Sequence, residues 1–114
     1  MARYSASGSQ TLTTSATTAL GFAAQSTAHR NSVYEMWFGN VGSPADQVSV
    51  QTVQRITADG SGTAVTPTAL DPADRASQCT CLENHTSEPT YTSNTEVMEV
   101  PLNHRATFRW VAGM

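Results

Sequence analysis

The chain has 114 residues and a mass of 12.1 kDa, which is the size of one domain and excludes a second. Charged residues make up only 13% of the chain, every basic residue is Arg, and the formal net charge is -3. This balance excludes a nucleic-acid-binding surface, which needs clustered basic side chains, and no apolar run reaches the length of about 18 residues that a membrane span requires. So little charge protects a surface poorly against association, which indicates that neighbouring subunits cover part of it.

The first 18 residues are small and polar, and Leu12 is their only large aliphatic side chain after Met1. Such a segment buries too little apolar area to offset its ordering entropy. We therefore expect a flexible arm at 1–18, with Arg3 and Tyr4 as candidate contact residues, and a single domain at 19–114. The N-terminus has no apolar signal-peptide core, so we expect the protein to be made in the cytoplasm.

Two strands are predicted in the first third of the domain. Residues 19–24 contain alanines that would allow a helix, but Gly21 and the alternation of Leu20 and Phe22 favour a strand. Residues 32–39 form the clearest strand of the chain, because they are aromatic and β-branched and end at a glycine. Both faces of this strand are largely apolar, so we expect it to be central and covered on both sides.

Residues 47–57 predict a long strand. The residues that favour a tight reversal after it are Asp59, Gly60, Ser61 and Gly62. We therefore expect a hairpin at 47–72, with these four residues as an exposed tip that is available to neighbouring subunits. Apolar side chains change face at Val53, which predicts either a bulge or a strand that joins two sheets.

Two similar tetrads, at 43–46 and 71–74, place Pro-Ala-Asp after a capping residue. This pattern predicts one capped turn at each place. The repeated Asp could suggest calcium, but the spaced oxygen ligands of a calcium loop are missing.

The last third of the chain contains two further strands, at 90–102 and 105–112, and Phe108, Trp110 and Ala112 share one face of the second. Residues 74–89 lack clean periodicity and predict a long loop with a weak strand. The strands are spaced at intervals typical of a sandwich. We predict an all-β fold, an antiparallel β-sandwich of jelly-roll type, in which strands or arms of neighbouring subunits would complete the sheets.

Four soft ligands, Cys79, Cys81, His85 and His104, raise the possibility of zinc. They lack the paired spacing of structural zinc sites, and a Cys-x-Cys pair on one strand face equally fits two ordinary thiols. No Gly-x-Ser-x-Gly elbow accompanies the serines and histidines, and the glycines at 60 and 62 lack the Lys-Ser/Thr of a phosphate loop. We predict no catalytic residue, no metal and no cofactor.

Aromatic side chains offer a second kind of site. Trp37, Tyr91 and Trp110 could form a platform on which sugars stack. In a chain with only 7% aromatic residues, they fit the core better.

Six motifs follow one another in the chain: VYEMWFG at 33–39, SPAD at 43–46, VQRITADGSGT at 53–63, TPTALDPAD at 66–74, EPTYT at 88–92 and NHRATFRWVA at 103–112. In this order they resemble a family of small virion structural proteins of tailed bacteriophages, capsid-associated or decoration proteins. The resemblance implies no active-site residues. Relatives continue beyond the last motif with further strands, so we expect that a neighbour supplies the next strand or that this chain is shorter than its relatives.

The resemblance implies a non-enzymatic virion protein, a capsid decoration or minor capsid protein that binds and stabilises the shell. Its implied partners are the major capsid protein or other virion subunits and further copies of itself, and its implied location is the virion, after assembly in the host cytoplasm. We expect no nucleic-acid or membrane partner. A carbohydrate-binding or host-attachment module is the alternative.

Overall fold

The computed structural model describes residues 2–13, 17–24, 30–40 and 47–113. Within these ranges the protein is all-β, contains no helix, and forms antiparallel strand pairs, which confirms the predicted class. The described strands are β1 (Tyr4–Ser5), β2 (Leu20–Ala24), β3 (Glu35–Gly39), β4 (Val48–Ala58), β5 (Ser61–Val65), β6 (Thr68–Ala69), β7 (Cys79–Ser87), β8 (Thr90–Asn103) and β9 (Thr107–Val111).

The chain divides into two compact units that alternate along the sequence. Unit 1 consists of Met1–Asn31 and Ile56–Tyr91, and unit 2 consists of Ser32–Arg55 and Thr92–Met114. Unit 1 contains the sheet β2-β7-β5 and the pair β1-β6, whereas unit 2 contains the pair β3-β9. The strands β4 and β8 pair with each other and contribute residues to both units. The division into a flexible arm and one domain stays a prediction.

Three of the strand pairs are nested along the chain. β3 pairs with β9, β4 with β8, and β5 with β7. The predicted hairpin at 47–72 is therefore wrong, because β4 and β5 have different partners. The chain reverses instead between β5 and β7, at residues 66–78, which contain β6 and a turn at Asp71.

Gly60 lies in the break between β4 and β5. Its φ is 71°, in the left-handed region, and a Cβ atom at this position would lie 2.3 Å from the carbonyl oxygen of Ser87. Glycine allows both this backbone angle and this close approach, whereas a residue with a side chain allows neither without strain. The glycine signal that predicted a reversal therefore marks a break between two strands.

β7 corrects the prediction of a long loop with only a weak strand at 74–89. It is a strand of nine residues at the centre of its sheet, and Cys81 stands opposite Phe22 of β2 and Val65 of β5. Its pairing with β5 slips between Ser61 and Thr63, and Asn84 has a positive φ of 48°. This irregularity breaks the alternation of side chains, which is why the sequence showed no clean period.

β3 pairs with β9 alone in the described part of the chain, so the prediction of a central, doubly covered strand is wrong. One face is half-buried and contains Phe38 stacked on Phe108, with ring centroids 6.2 Å apart. On the other face Trp37 remains 66% exposed. The shared face of Phe108, Trp110 and Ala112 is confirmed by their common half-buried state.

The change of face within β4 is confirmed. Val48 and Val50 are exposed while the alternate residues are half-buried, and Val53 and Gln54 are then half-buried in succession.

The capped turn at 71–74 is confirmed as well, because the Ala73 amide donates to the Asp71 carboxylate at 2.9 Å. The matching turn at 43–46 lies outside the described residues.

Few of the described side chains are buried. Cys81, His85, Pro89 and Leu102 are buried, but no described side chain falls below 2% exposure. A chain of this length is large enough to bury a core of several large side chains. The described residues form no such core, whereas backbone pairing joins each described strand to a partner.

Replacing Gly60 by Ala should lower the free energy of unfolding by more than about 2 kcal/mol, because the methyl group meets a left-handed backbone and the Ser87 carbonyl. Urea unfolding followed by circular dichroism measures this loss. Gly113→Ala is the matched control, since a Cβ atom there has no neighbour within 4 Å. Equal stability of the two variants would contradict the structural interpretation of Gly60.

Candidate interaction surface

The pairing of β3 with β9 builds one exposed cluster of side chains. Trp37 stands directly opposite Arg109, and Glu35 stands opposite Val111. Residues that are paired in this way, and residues two apart along a strand, lie on the same face of a sheet. We call the four residues Glu35, Trp37, Arg109 and Val111 the Trp37 face.

Three members of the Trp37 face hold one another in place. The Arg109 Nε donates to Glu35 Oε1 at 2.6 Å, and the indole N–H of Trp37 donates to the same oxygen at 2.7 Å. The guanidinium of Arg109 also lies 5.2 Å from the centre of the Trp37 ring, within cation–π range. The cluster is therefore arranged before any partner arrives.

The hydrogen bond from Arg109 holds the pKa of Glu35 below its usual value, and the hydrogen bond from Trp37 adds to the effect. A carboxylate that stays ionised at neutral pH is a poor general acid. In chemical terms, the Trp37 face offers an open aromatic ring beside a charged pair. This combination can bind a partner through the ring and the charged pair together.

The interpretation of the tryptophans as core residues is wrong for Trp37, which is 66% exposed, whereas Trp110 is half-buried. Tyr91, the third aromatic residue considered, is 40% exposed. The sequence contains one indication of this exposed face. Glu35 lies two positions from Trp37, and Arg109 lies two positions from Val111, so each charged residue shares a strand face with an aromatic or apolar one.

The predicted tip residues form the link between β4 and β5. Asp59 and Gly60 lie in the break, while Ser61 and Gly62 begin β5. Asp59 also lines a small recess of unit 1 together with Phe22 and His85. Their interaction with neighbouring subunits stays a prediction.

The two predicted contact residues of the arm lie at and before β1, which pairs with β6. Tyr4 donates its hydroxyl hydrogen to the carbonyl of Arg75 at 2.8 Å. Arg3 lines a shallow recess with Asp71 and Asp74. The structure thus places these residues in a different strand pair from Asp59–Gly62, and their binding function stays a prediction.

Cys79 and Cys81 lie on one face of β7 with their sulfur atoms 3.8 Å apart. Burial is the main reason that the pKa of the Cys81 thiol rises to about 12, and the neighbouring Cys79 contributes to the rise. Among the described residues, no group of three or more His, Cys, Asp or Glu side chains is placed to hold a metal ion. The buried Cys81 thiol thus has the properties of a packing residue rather than of a nucleophile.

His85 is buried on the same strand. Its Nδ1 lies 3.2 Å from the carbonyl oxygen of Thr18. Because a carbonyl can only accept, Nδ1 carries a hydrogen and donates it to Thr18. Within the described residues Nε2 has no partner, so His85 mainly fixes the position of the chain at Thr18.

Comparison of the chain with protein-family models, with curated proteins and with solved structures gives no match. The described residues also contain no helix with the length and apolar character needed to cross a bilayer. A functional assignment therefore rests on the residues and geometry of the chain itself.

Replacing Arg109 by Gln should raise the pKa of Glu35 toward its ordinary value, because the largest cause of the lowering is removed. NMR titration of the Glu35 carboxyl carbon measures this pKa. In the native chain the ion pair is present at neutral pH and is lost as the pH falls through the lowered pKa of Glu35. Arg105→Gln, in the turn before β9, is the control. An unchanged Glu35 pKa in Arg109→Gln would contradict the geometry described.

Proposed function

We propose that the chain is a non-enzymatic structural subunit of a tailed-bacteriophage particle, a capsid decoration or minor capsid protein that binds and stabilises the shell. The observation that carries the proposal is the amount of apolar surface that the chain leaves exposed. The resemblance of its motifs to small virion proteins of tailed bacteriophages is the reason for proposing a phage particle. The binding partners are further copies of this chain and the major capsid protein or other virion subunits.

The kind of side chain that is exposed supports the same proposal. Among the described residues, ten large apolar or aromatic side chains are 40% to 71% exposed. They are Leu12, Phe22, Tyr34, Trp37, Val48, Val50, Leu70, Tyr91, Val97 and Val111. In a chain with only 13% charged residues, little charge separates these side chains or opposes association.

The proposed shell subunit has an antiparallel sandwich of jelly-roll type. Support comes from the nesting of β3-β9, β4-β8 and β5-β7, because a chain that pairs with itself in nested order can fold its strand pairs into two facing sheets. The half-buried face of Phe38 and Phe108 then packs within the sandwich. Strands or arms of neighbouring subunits complete the sheets.

A carbohydrate-binding or host-attachment module is the second candidate function. The specific observation in its favour is the exposed ring of Trp37 beside the polar pair of Glu35 and Arg109. Aromatic rings stack on the apolar faces of sugars, and charged side chains hydrogen-bond their hydroxyl groups. A virion protein that attaches to host glycans would combine both functions.

Quantitative mass spectrometry of intact particles tests the proposal. Particles should be purified on a density gradient from cells in which the phage that encodes this chain has multiplied. We expect the protein to stay with the particles through washing, at a copy number that is a fixed fraction of the major capsid protein. An abundant host cytoplasmic protein is the control for carry-over. Recovery of the chain only in the soluble fraction would contradict the proposal.

A further inference from the structure

The Trp37 face is an exposed surface of unit 2 whose side chains hold one another in place. Trp37 is 66% and Val111 is 51% exposed, while Met36 and Phe38 on the reverse face of β3 are half-buried. The exposed face is therefore not the side of the strand pair that packs within the unit. It presents an aromatic ring and a valine to solvent next to a single ion pair.

We propose that the Trp37 face binds the Trp37 face of a second copy of this chain, across a two-fold axis. The inference deepens the proposed function and rests on it, because it names the surface through which copies associate. Three observations carry it: the arrangement of the side chains, their charge, and the area that remains to be covered.

The arrangement lowers the cost of association. Binding normally costs the rotamer freedom of the side chains that become fixed at the interface. Here Trp37 and Arg109 are already held by Glu35, at 2.7 Å and 2.6 Å. Trp and Arg are also the residue types that most often dominate the binding energy of an interface.

The charge of the face selects a second copy over a charged partner. Glu35 and Arg109 cancel each other, so the face has no net charge with which to attract an acidic or a basic surface. In a two-fold contact the same surface of both copies meets itself, so a residue pair that forms between the copies forms twice. The arginine of one copy can thus approach the acid of the other at two equivalent places.

The face leaves apolar side chains for a second copy to cover. Trp37 is 66% and Val111 is 51% exposed, so a contact between two copies would bury an aromatic ring and a valine on each side. Both strands also have one edge without a strand partner in the described part of the chain. The copy that covers the face could therefore also approach these edges.

Sedimentation equilibrium of the purified chain over a wide range of concentration tests the inference. We expect reversible association of the native chain, and a dissociation constant at least about 30-fold higher for Trp37→Ala, the effect of losing a dominant interface residue. Val97→Ala is the matched control, since Val97 is 71% exposed in the same unit but outside the Trp37 face. Because both side chains are exposed, both variants should keep the circular dichroism of the native chain.

A charge exchange tests the two-fold arrangement. Glu35→Arg alone and Arg109→Glu alone place like charges on facing copies, and each should weaken association at least about 10-fold. The double variant restores opposite charges within each copy and between copies, so its dissociation constant should return to within about threefold of the native value. Failure of the double variant to recover, while its monomer is folded, would overturn the two-fold contact.

The outcomes separate this inference from the proposed function. A native chain that stays monomeric, or association that Trp37→Ala leaves unchanged, would overturn the inference while the presence of the protein on particles still supports the function. Absence of the protein from particles would overturn the proposed function. The dissociation constants of the native chain, Trp37→Ala and Val97→Ala would still show whether copies associate through the Trp37 face. A shift of Trp37 fluorescence when the monomer is mixed with an oligosaccharide panel, lost in Trp37→Ala, would overturn the inference in favour of a sugar site.

Discussion

Backbone hydrogen bonding between nested strands is the constraint on which the other features of this protein depend. The outermost of these pairs is β3-β9, and the innermost is β5-β7. Each strand finds its partner far away in the sequence, and the pairing satisfies backbone groups that a compact chain cannot leave unpaired. Gly60 allows this order of strands, because a Cβ atom at its position would lie too close to the backbone carbonyl of Ser87.

Nested pairing also explains which surfaces stay exposed. A two-stranded pair such as β3-β9 has two faces, and one layer of packing covers only one of them. Phe38 and Phe108 lie on the half-buried face. The opposite face joins Glu35 to Arg109, and Trp37 lies open beside them. Few of the described side chains are buried, so the proposed association with further subunits would add apolar burial that these residues lack.

Most strands could be predicted from the sequence, because alternation and β-propensity are local properties. The strands β2, β3, β4, β8 and β9 lie at or within the predicted segments or extend them by one residue. Partner choice could not be predicted, because a period of two fixes the face of a residue and not its neighbouring strand. The glycines at 60 and 62 accordingly indicated a hairpin where the structure has a break.

The candidate site, too, depends on strand partners that the sequence could not predict. The contact between Glu35 and Arg109 joins residues 74 positions apart and exists only through the pairing of β3 with β9. No local pattern contains that information. The aromatic strand at 32–39 looked doubly buried because composition reports how apolar a face is, and not whether another layer covers it. β7 was predicted only as a weak strand within a long loop, since its irregular pairing hides the alternation.

The thermal midpoint as a function of protein concentration tests the central claim most directly. If copies of the chain cover the exposed apolar surface, association stabilises the folded state by mass action. A rise from about 1 to about 100 μM should then raise the midpoint by roughly 5 °C. A midpoint that is the same at both concentrations would contradict the claim that this chain is stabilised by its neighbours.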